Sequence, residues 1–260
     1  MRALLSKLKS GTEELNYGRD VIAGMAQRQA ETIPGSPVQV LDLGLGSGAD
    51  LENIRSALAG RGVVLCGVDS YEPNVARARE RGVEVWSLDI EREALPVSDA
   101  SLDLVVANQV LEHTKEIFWI VSEAGRALKP GGALLVGVPN LASFHSRAML
   151  ALGMQPSPID VLGPHVRGFT KGGFKRFVEE GGFFEVVEVR GGNFYPLPMP
   201  FAKVAARLWA GGSVSLFFRC RRTAKTGRFL EVLDQKFFET PFYRGQGIGD
   251  RGQVTKRLGD

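Results

Sequence analysis

The chain has 260 residues, 44% hydrophobic and 23% charged, with a formal net charge of +3. That length suits one sizeable α/β domain with appendages, and a second full domain is not expected. Cys66 and Cys220 stand far apart without C-x-x-C spacing, which argues against a disulfide framework or a cysteine zinc site and for two buried thiols in a reducing compartment.

Near the N-terminus, Arg2, Lys7 and Lys9 surround an apolar stretch of only Ala3 to Leu5, too short for a signal-peptide core. No uncharged run elsewhere is long enough to span a bilayer, so a cytoplasmic protein without a membrane span, monomeric or homodimeric, is expected. Charge is uneven: residues 1–218 carry a net −2, and residues 219–260, with 10 basic and 5 acidic side chains, a net +5. A basic end of this kind suits an anionic partner such as RNA, or is simply solvated; no nucleic-acid partner is expected.

In chain order, a helical region is expected over about Gly11 to Ala30, then a linker at Pro34 and Pro37. Strand patterns at Val38–Leu43, Val63–Val68, Glu84–Leu88, Leu102–Ala107 and Ala133–Val138 alternate with helix patterns at 49–58, 72–80 and 115–128. Lys129-Pro130-Gly131-Gly132 reads as the terminator of the last of these helices. Between Pro139 and Arg167 the period is lost, with Pro156, Pro158 and Pro164 interrupting it, as expected of a long excursion at about 139–170 above the carboxyl ends of the strands. Helix 171–180, strand Phe183–Val189, a bend at Pro196, Pro198 and Pro200, helix 201–210 and strand Ser213–Cys220 follow. Phe229, Phe237, Phe238, Phe242 and Tyr243 make the remainder too aromatic for a disordered tail. The alternation predicts a doubly wound, mostly parallel sheet in a three-layer α/β/α arrangement. The expected organisation is a helical segment 1–34, a core 35–221 and a basic aromatic extension 222–260.

A strand running into Gly44-Leu45-Gly46-Ser47-Gly48 and then a helix is how a nucleoside cofactor is held. Gly44-x-Gly46-x-x-Ala49 satisfies the dinucleotide fingerprint, with Asp69 closing the next strand, so a nicotinamide oxidoreductase is one reading. Asp42, inside the strand two positions before the first glycine, repels a pyrophosphate but suits a ligand bearing an ammonium group. Asp69 can accept from both hydroxyls of a ribose, and Asp89 with Ile90 offers an acceptor for an exocyclic amine beside an apolar wall. The three acids together describe an aminoacyl-type nucleoside with a free ribose.

Val40-Leu41-Asp42-Leu43-Gly44-Leu45-Gly46-Ser47-Gly48, Gly67-Val68-Asp69-Ser70, Leu88-Asp89-Ile90, Leu95-Pro96-Val97 with Ser101-Leu102-Asp103-Leu104-Val105, Asn108-Gln109-Val110-Leu111-Glu112-His113 and Leu128-Lys129-Pro130-Gly131-Gly132 occur in that order. Over about residues 35–220 the chain resembles the S-adenosylmethionine-dependent methyltransferases of the seven-stranded Rossmann-like kind (class I), specifically the small-molecule type-11 group. The resemblance implies strand order 3-2-1-4-5-7-6 with the last strand antiparallel, and S-adenosyl-L-methionine as cofactor. It implies that Asp42 and Gly44 to Gly48 meet the methionine end, Asp69 and Ser70 the ribose, Asp89 and Ile90 the adenine, and Asn108 with Gln109 the region of the sulfonium. Leu45 departs from relatives with a smaller residue there, and its side chain is expected to point away from the ligand. Asp103, at a strand start, is expected to cap backbone amides.

Methyl transfer needs alignment more than acid–base chemistry, with a base required when the acceptor is a hydroxyl or an ammonium. His165, in Pro164-His165-Val166-Arg167-Gly168-Phe169-Thr170, is the preferred base, with His113 a second candidate; His145, Arg147, Arg167 and Tyr195 are candidate substrate contacts. No metal cluster can be assembled from the sequence, and none is expected. The expected activity is methylation of a hydroxyl or amine on a small molecule, of the secondary-metabolite, glycan or quinone-precursor kind. Alternatives are an RNA or protein methyltransferase, the oxidoreductase, or a non-catalytic binding module. Asn108-Gln109-Val110-Leu111 is not the Asp/Asn-Pro-Pro-aromatic motif that grips a flipped base.

Overall fold

A computed structural model of the chain describes residues 18–198 and 201–235. The expectations placed on residues 1–17, on Pro200 and on Phe237, Phe238, Phe242 and Tyr243 lie outside the described residues.

Helix α1 (Arg19–Ala30) precedes β1 (Val38–Leu43), α2 (Ala49–Ala57), β2 (Val63–Asp69), α3 (Glu72–Glu80), β3 (Glu84–Ser87), β4 (Leu102–Asn108), α4 (Ile117–Ala127) and β5 (Leu128–Pro139). Then come α5 (Phe144–Ala151), α6 (Lys171–Glu179), β6 (Phe184–Gly192), α7 (Phe201–Leu208) and β7 (Ser215–Arg222). The strands form one sheet in the order β3-β2-β1-β4-β5-β7-β6, with β7 antiparallel to both of its neighbours. Strand β1 pairs with β2 on one side and β4 on the other, so chain order reverses there and a crevice opens at the carboxyl ends of these strands.

Alternation along the central strands assigns two faces. Leu41 and Leu43, Val105 and Ala107, Leu134, Val136 and Val138 face one core with Ile120, Val121 and Ala124 of α4 and Phe174 and Val178 of α6. Val38, Val40, Leu104, Val106, Ala133 and Leu135 face another with Ile22 and Met25 of α1, Leu51 and Ile54 of α2, and Val75 and Ala78 of α3. Both faces are covered, which is why these strands are almost wholly apolar. A 3₁₀ segment, Phe229–Gln235, adds Phe229 and Val232 to the first core, where Phe229 lies against Phe118, Phe177, Phe183 and Phe184. Cys66 and Cys220 are buried free thiols.

Two features differ from expectation. The excursion after β5 contains a helix, α5, capped by the Ser143 hydroxyl accepting from the Ser146 amide; only eight residues long and flanked by irregular chain, it leaves too short a periodic signal to read. Lys129-Pro130-Gly131-Gly132 lies inside the first residues of β5, because α4 has already ended at Ala127. A Cβ at Gly132 would stand 2.9 Å from the Asp103 carbonyl oxygen, so glycine there lets β5 close onto β4 without a loop. Asp103 itself accepts from the Gln39 amide at 2.9 Å and from Lys129 Nζ at 2.8 Å, joining the starts of β1, β4 and β5.

The segment between β3 and β4 is held by one guanidinium. Arg126 of α4 donates to the Leu95 and Val97 carbonyls, to Asp99 at 2.7 Å and to Glu123 at 2.8 Å, and its side chain is only 11% exposed. Glu123 in turn accepts from the Leu95 amide. Removing one member of a buried charge pair strands the other. Arg126→Met is expected to lower the unfolding free energy by about 3–5 kcal/mol in urea denaturation, with the m-value unchanged.

Candidate active site

The crevice begins with the turn after β1. The Gly44 and Leu45 amides donate to the Val68 carbonyl at 2.9 and 3.0 Å, and the Gly46 amide donates to Asp69 Oδ2 at 2.8 Å, so the turn is strapped to the tip of β2. Gly44 has φ +68°, and a Cβ there would lie 2.9 Å from Val110 Cγ2; both backbone conformation and space demand glycine. Leu45 is buried and packs on Gly67, pointing away from the crevice. The segment ends at Gly48, which starts α2.

Three carboxylates gather here. Asp42 is 2% exposed and its Oδ2 has no hydrogen-bond partner. Burial first, then the charges of Asp50 and Asp69, push its carboxyl well above the usual carboxylate range, against the pull of Arg19. Asp50, in the first turn of α2, accepts from Asn108 Nδ2 at 3.1 Å and lies 4.0 Å from Arg19 Nε; burial raises its carboxyl as well. Asp69 accepts from the Gly46 and Tyr71 amides and from Asn74 Nδ2, which fixes its carboxylate at the end of β2. Neither Asp50 nor Arg19 was singled out from the sequence. Asp50 read there only as the start of a helix, and the signal available was an acid in the first turn beyond a glycine-rich segment.

Toward β3 the crevice is more open. Ser70 is exposed, and Ile90 is half-buried against the first core. Asp89 Oδ1 accepts from the Glu91 amide at 2.9 Å while Oδ2 lies 3.4 Å from Arg92 Nε. Glu91 Oε2 accepts from the Lys115 and Glu116 amides, tying this edge to the start of α4.

At the exit of β4, Gln109 takes φ +59°, an uncommon conformation for a residue with a side chain, while its amide donates to the Gly137 carbonyl at 2.8 Å and its Nε2 is buried without a partner. A 3₁₀ turn, Leu111–His113, follows. Glu112 is 1% exposed and neither carboxylate oxygen has a partner; burial pushes its carboxyl up to about 7. The Glu112 carbonyl accepts from both the Val166 and Arg167 amides, at 2.9 and 3.2 Å, and this staple brings His165 against His113 with ring centroids 4.7 Å apart. Arg167 donates to the Lys115 carbonyl at 3.1 Å. Burial lowers the His113 imidazole, with His165 beside it acting in the same direction and the bond to the Pro164 carbonyl opposing. His113 and His165 are therefore brought together, and Glu112 joins them.

The other candidate substrate contacts form a second group. His145 and Tyr195 meet edge to face at 5.6 Å, Arg147 donates to the Ala142 carbonyl and lies 5.4 Å from the Trp209 ring centre, and Phe194 lies between Phe144 and Trp209. Asn140, fully buried, donates to the Gly211 and Ser213 carbonyls, and the Leu141 amide donates to the Phe169 carbonyl, closing the base of the excursion.

Residues 41–136 match the model of a family described as "Methyltransferase domain". Over these residues the chain is similar to S-adenosylmethionine-dependent methyltransferases. Among similar curated proteins, a probable S-adenosylmethionine-dependent methyltransferase of Mycolicibacterium smegmatis is 38% identical over 134 residues, 52% of this chain and 50% of that protein. The 27-O-demethylrifamycin SV methyltransferase of Amycolatopsis mediterranei is 31% identical over 142 residues, 50% of this chain and 48% of that protein. The plantazolicin methyltransferase BpumL, solved in complex with S-adenosylhomocysteine, shares the fold with a TM-score of 0.56 at 17% identity, over 85% of this chain and 90% of that one. The chain spans half or less of the length of the first curated relatives it matches, 31%, 50% and 41%. Among the described residues, no helix is long and apolar enough to cross a membrane.

The residues of the crevice fit S-adenosylmethionine, the cofactor of these relatives. A buried acid with an orphan oxygen needs a donor, and the ammonium of an amino acid supplies one; Arg19 beside the acids suits the accompanying carboxylate. Asp42 also makes a stability prediction. Its folded-state carboxyl is raised, so the stability it contributes is full below the unfolded value near 3.8 and is lost as pH rises through the folded value. Asp42→Asn is expected to raise the thermal midpoint at pH 8 more than at pH 5, and to weaken S-adenosylhomocysteine binding at least about tenfold, or 1.4 kcal/mol, in calorimetric titration.

Proposed function

We propose that this chain transfers the methyl group of S-adenosylmethionine to a hydroxyl or amine of a small molecule. The observation that carries this reading is the juxtaposition of two unlike groups along β4 and its exit. Asn108 belongs to the acidic crevice, and five residues on, His113 belongs to the Glu112–His113–His165 group. Val110, in contact with Gly44, connects the two.

The cofactor supplies an electrophilic methyl on a sulfonium. Asp42, with Asp50 and Arg19 behind it, holds the amino-acid end, Asp69 and Ser70 the ribose, and Asp89 with Ile90 the adenine; Gln109 and Asn108 line the approach to the sulfonium. A lone pair of the acceptor forms the new bond to the methyl carbon as the carbon–sulfur bond breaks, its electron pair going to sulfur. The acceptor's proton must leave, and the Glu112–His113–His165 group is placed to assist its loss. Alignment and exclusion of water supply most of the acceleration.

The substrate class is read from the excursion at about 139–170 and the chain it packs on. Phe144, Tyr195 and Trp209 expose 49%, 43% and 46% of their surface, so the mouth is aromatic and partly apolar, with His145, Arg147 and Arg167 as polar contacts. The named activity of the Amycolatopsis relative, on 27-O-demethylrifamycin SV, supports a hydroxyl on an apolar secondary metabolite. In this organisation, segment 1–34 contributes Arg19, residues 35–221 form the catalytic core, and of 222–260 the described Phe229 and Val232 pack on that core. The basic excess from residue 219 onward starts with arginines engaged in the fold: Arg219 and Arg221 pair with Glu188 and Glu185, and Arg222 donates to the Gly125 carbonyl. That favours a small molecule over RNA.

Titration calorimetry tests the class: saturable binding of S-adenosylhomocysteine with no heat from NAD is expected, and the reverse result ends the reading. Once an acceptor has been found by mass spectrometry with methyl-labelled cofactor, His165→Ala is expected to lower kcat by about 10²–10⁴-fold with cofactor affinity unchanged. Wild-type kcat in that variant would remove His165 from the chemistry.

A further inference from the structure

We propose that Glu112, His113 and His165 bind a divalent transition-metal ion, of the manganese-to-zinc class. Their ligand atoms all lie within 4.8 Å of one another, with His113 Nε2 4.0 Å from Glu112 Oε1. Ligands around one ion at ~2.1 Å are separated by ~3–4 Å, so the set lies within about 1 Å of closing on a single ion.

Three further observations point to a ligand. His113 Nδ1 lies 3.3 Å from the Pro164 carbonyl oxygen and His165 Nδ1 lies 3.0 Å from that of Pro158. A carbonyl can only accept, so each Nδ1 carries the hydrogen, and in the neutral ring each Nε2 is left with its lone pair, the form in which imidazole binds metals. Glu112 then presents two carboxylate oxygens, buried and without any hydrogen-bonding partner, one of them 4.0 Å from His113 Nε2. A lone carboxylate so placed is costly, and a cation answers it. Last, the backbone is built to hold this geometry: the Glu112 carbonyl takes two amides from the segment carrying His165. Two imidazoles and one carboxylate leave coordination positions open, which distinguishes the set from a closed structural site.

The metal site stands on these contacts alone; its catalytic meaning rests on the methyl-transfer reading. An ion held here would take the acceptor's oxygen, lower the pKa of its hydroxyl and so let the proton pass to water before the oxygen attacks the methyl carbon.

The test uses the full chain, dialysed against chelator and titrated with cobalt(II), manganese(II) and zinc(II) chloride by calorimetry, with visible absorption for cobalt. One equivalent of saturable binding is expected, with cobalt bands of imidazole coordination. His165→Ala and the near-isosteric Glu112→Gln, each shown to be folded by circular dichroism and by unchanged S-adenosylhomocysteine binding, are expected to weaken that binding at least tenfold. No saturable uptake, or equal affinity in both variants, overturns the site. If His165→Ala loses activity while no metal binds, His165 is a base and the metal site is wrong. The two readings fail separately: metal uptake without S-adenosylhomocysteine binding would sink methyl transfer and keep the ion.

Discussion

An unpartnered carboxyl group buried where the sheet changes direction governs this molecule. Asp42 sits in β1, next to the point where strand order reverses, and its hidden Oδ2 has no hydrogen-bond partner. A fold selected for stability alone would replace it, because an acid that the interior drives toward its neutral form contributes little at neutral pH. The neighbouring parts make sense around it. Arg19 comes from a helix that precedes the sheet, Asp50 is held by Asn108 across the crevice, and Asp69 fastens the glycine turn through the Gly46 amide. The result is an electronegative recess with one guanidinium at its edge, complementary to a zwitterion that carries an extra positive charge.

The excursion after β5 adds a second, chemically different region without adding a domain. Its two ends are brought together by Asn140 and Phe169, and its last turn before Phe169 is pinned to the exit of β4 by the Glu112 carbonyl. A loop anchored at both levels can present His165 reproducibly, which a free loop of this length does not. The exposed aromatic residues Phe144, Tyr195 and Trp209 lie around α5 and in the connection from β6 to β7, apart from the stretch that carries His165.

Much of the fold was legible because its signals are local. The apolar strand Val38–Leu43 before the glycines, the acid closing β2 and the helix Glu72–Glu80 each announce themselves within a few residues, and six motifs in register carried the sheet order through resemblance. Asp42, the glycine turn, Asp69 and Asn108 were likewise readable, since strand ends in this topology converge on one crevice whatever the loops do. Helix α5 was not, being eight residues bounded by irregular chain. Lys129-Pro130-Gly131-Gly132 misled in a small way: proline and glycine announce an interruption, and only the approach of Gly132 to Asp103 shows that the chain resumes as strand at once.

By itself, then, the amino-acid sequence determined the doubly wound sheet and the gathering of Asp42, the glycine turn, Asp69 and Asn108 at one crevice, because periodicity and the glycine-rich turn act over neighbouring residues and strand order delivers them to one place. The company kept by its histidines was a tertiary decision. His113 and His165 are 52 positions apart, and Glu112 looks like any acid before a helix until the fold buries it. Whether these three meet depends on two hydrogen bonds from backbone amides to a single carbonyl and on the path of a proline-interrupted segment, and no pattern confined to adjacent residues encodes that contact.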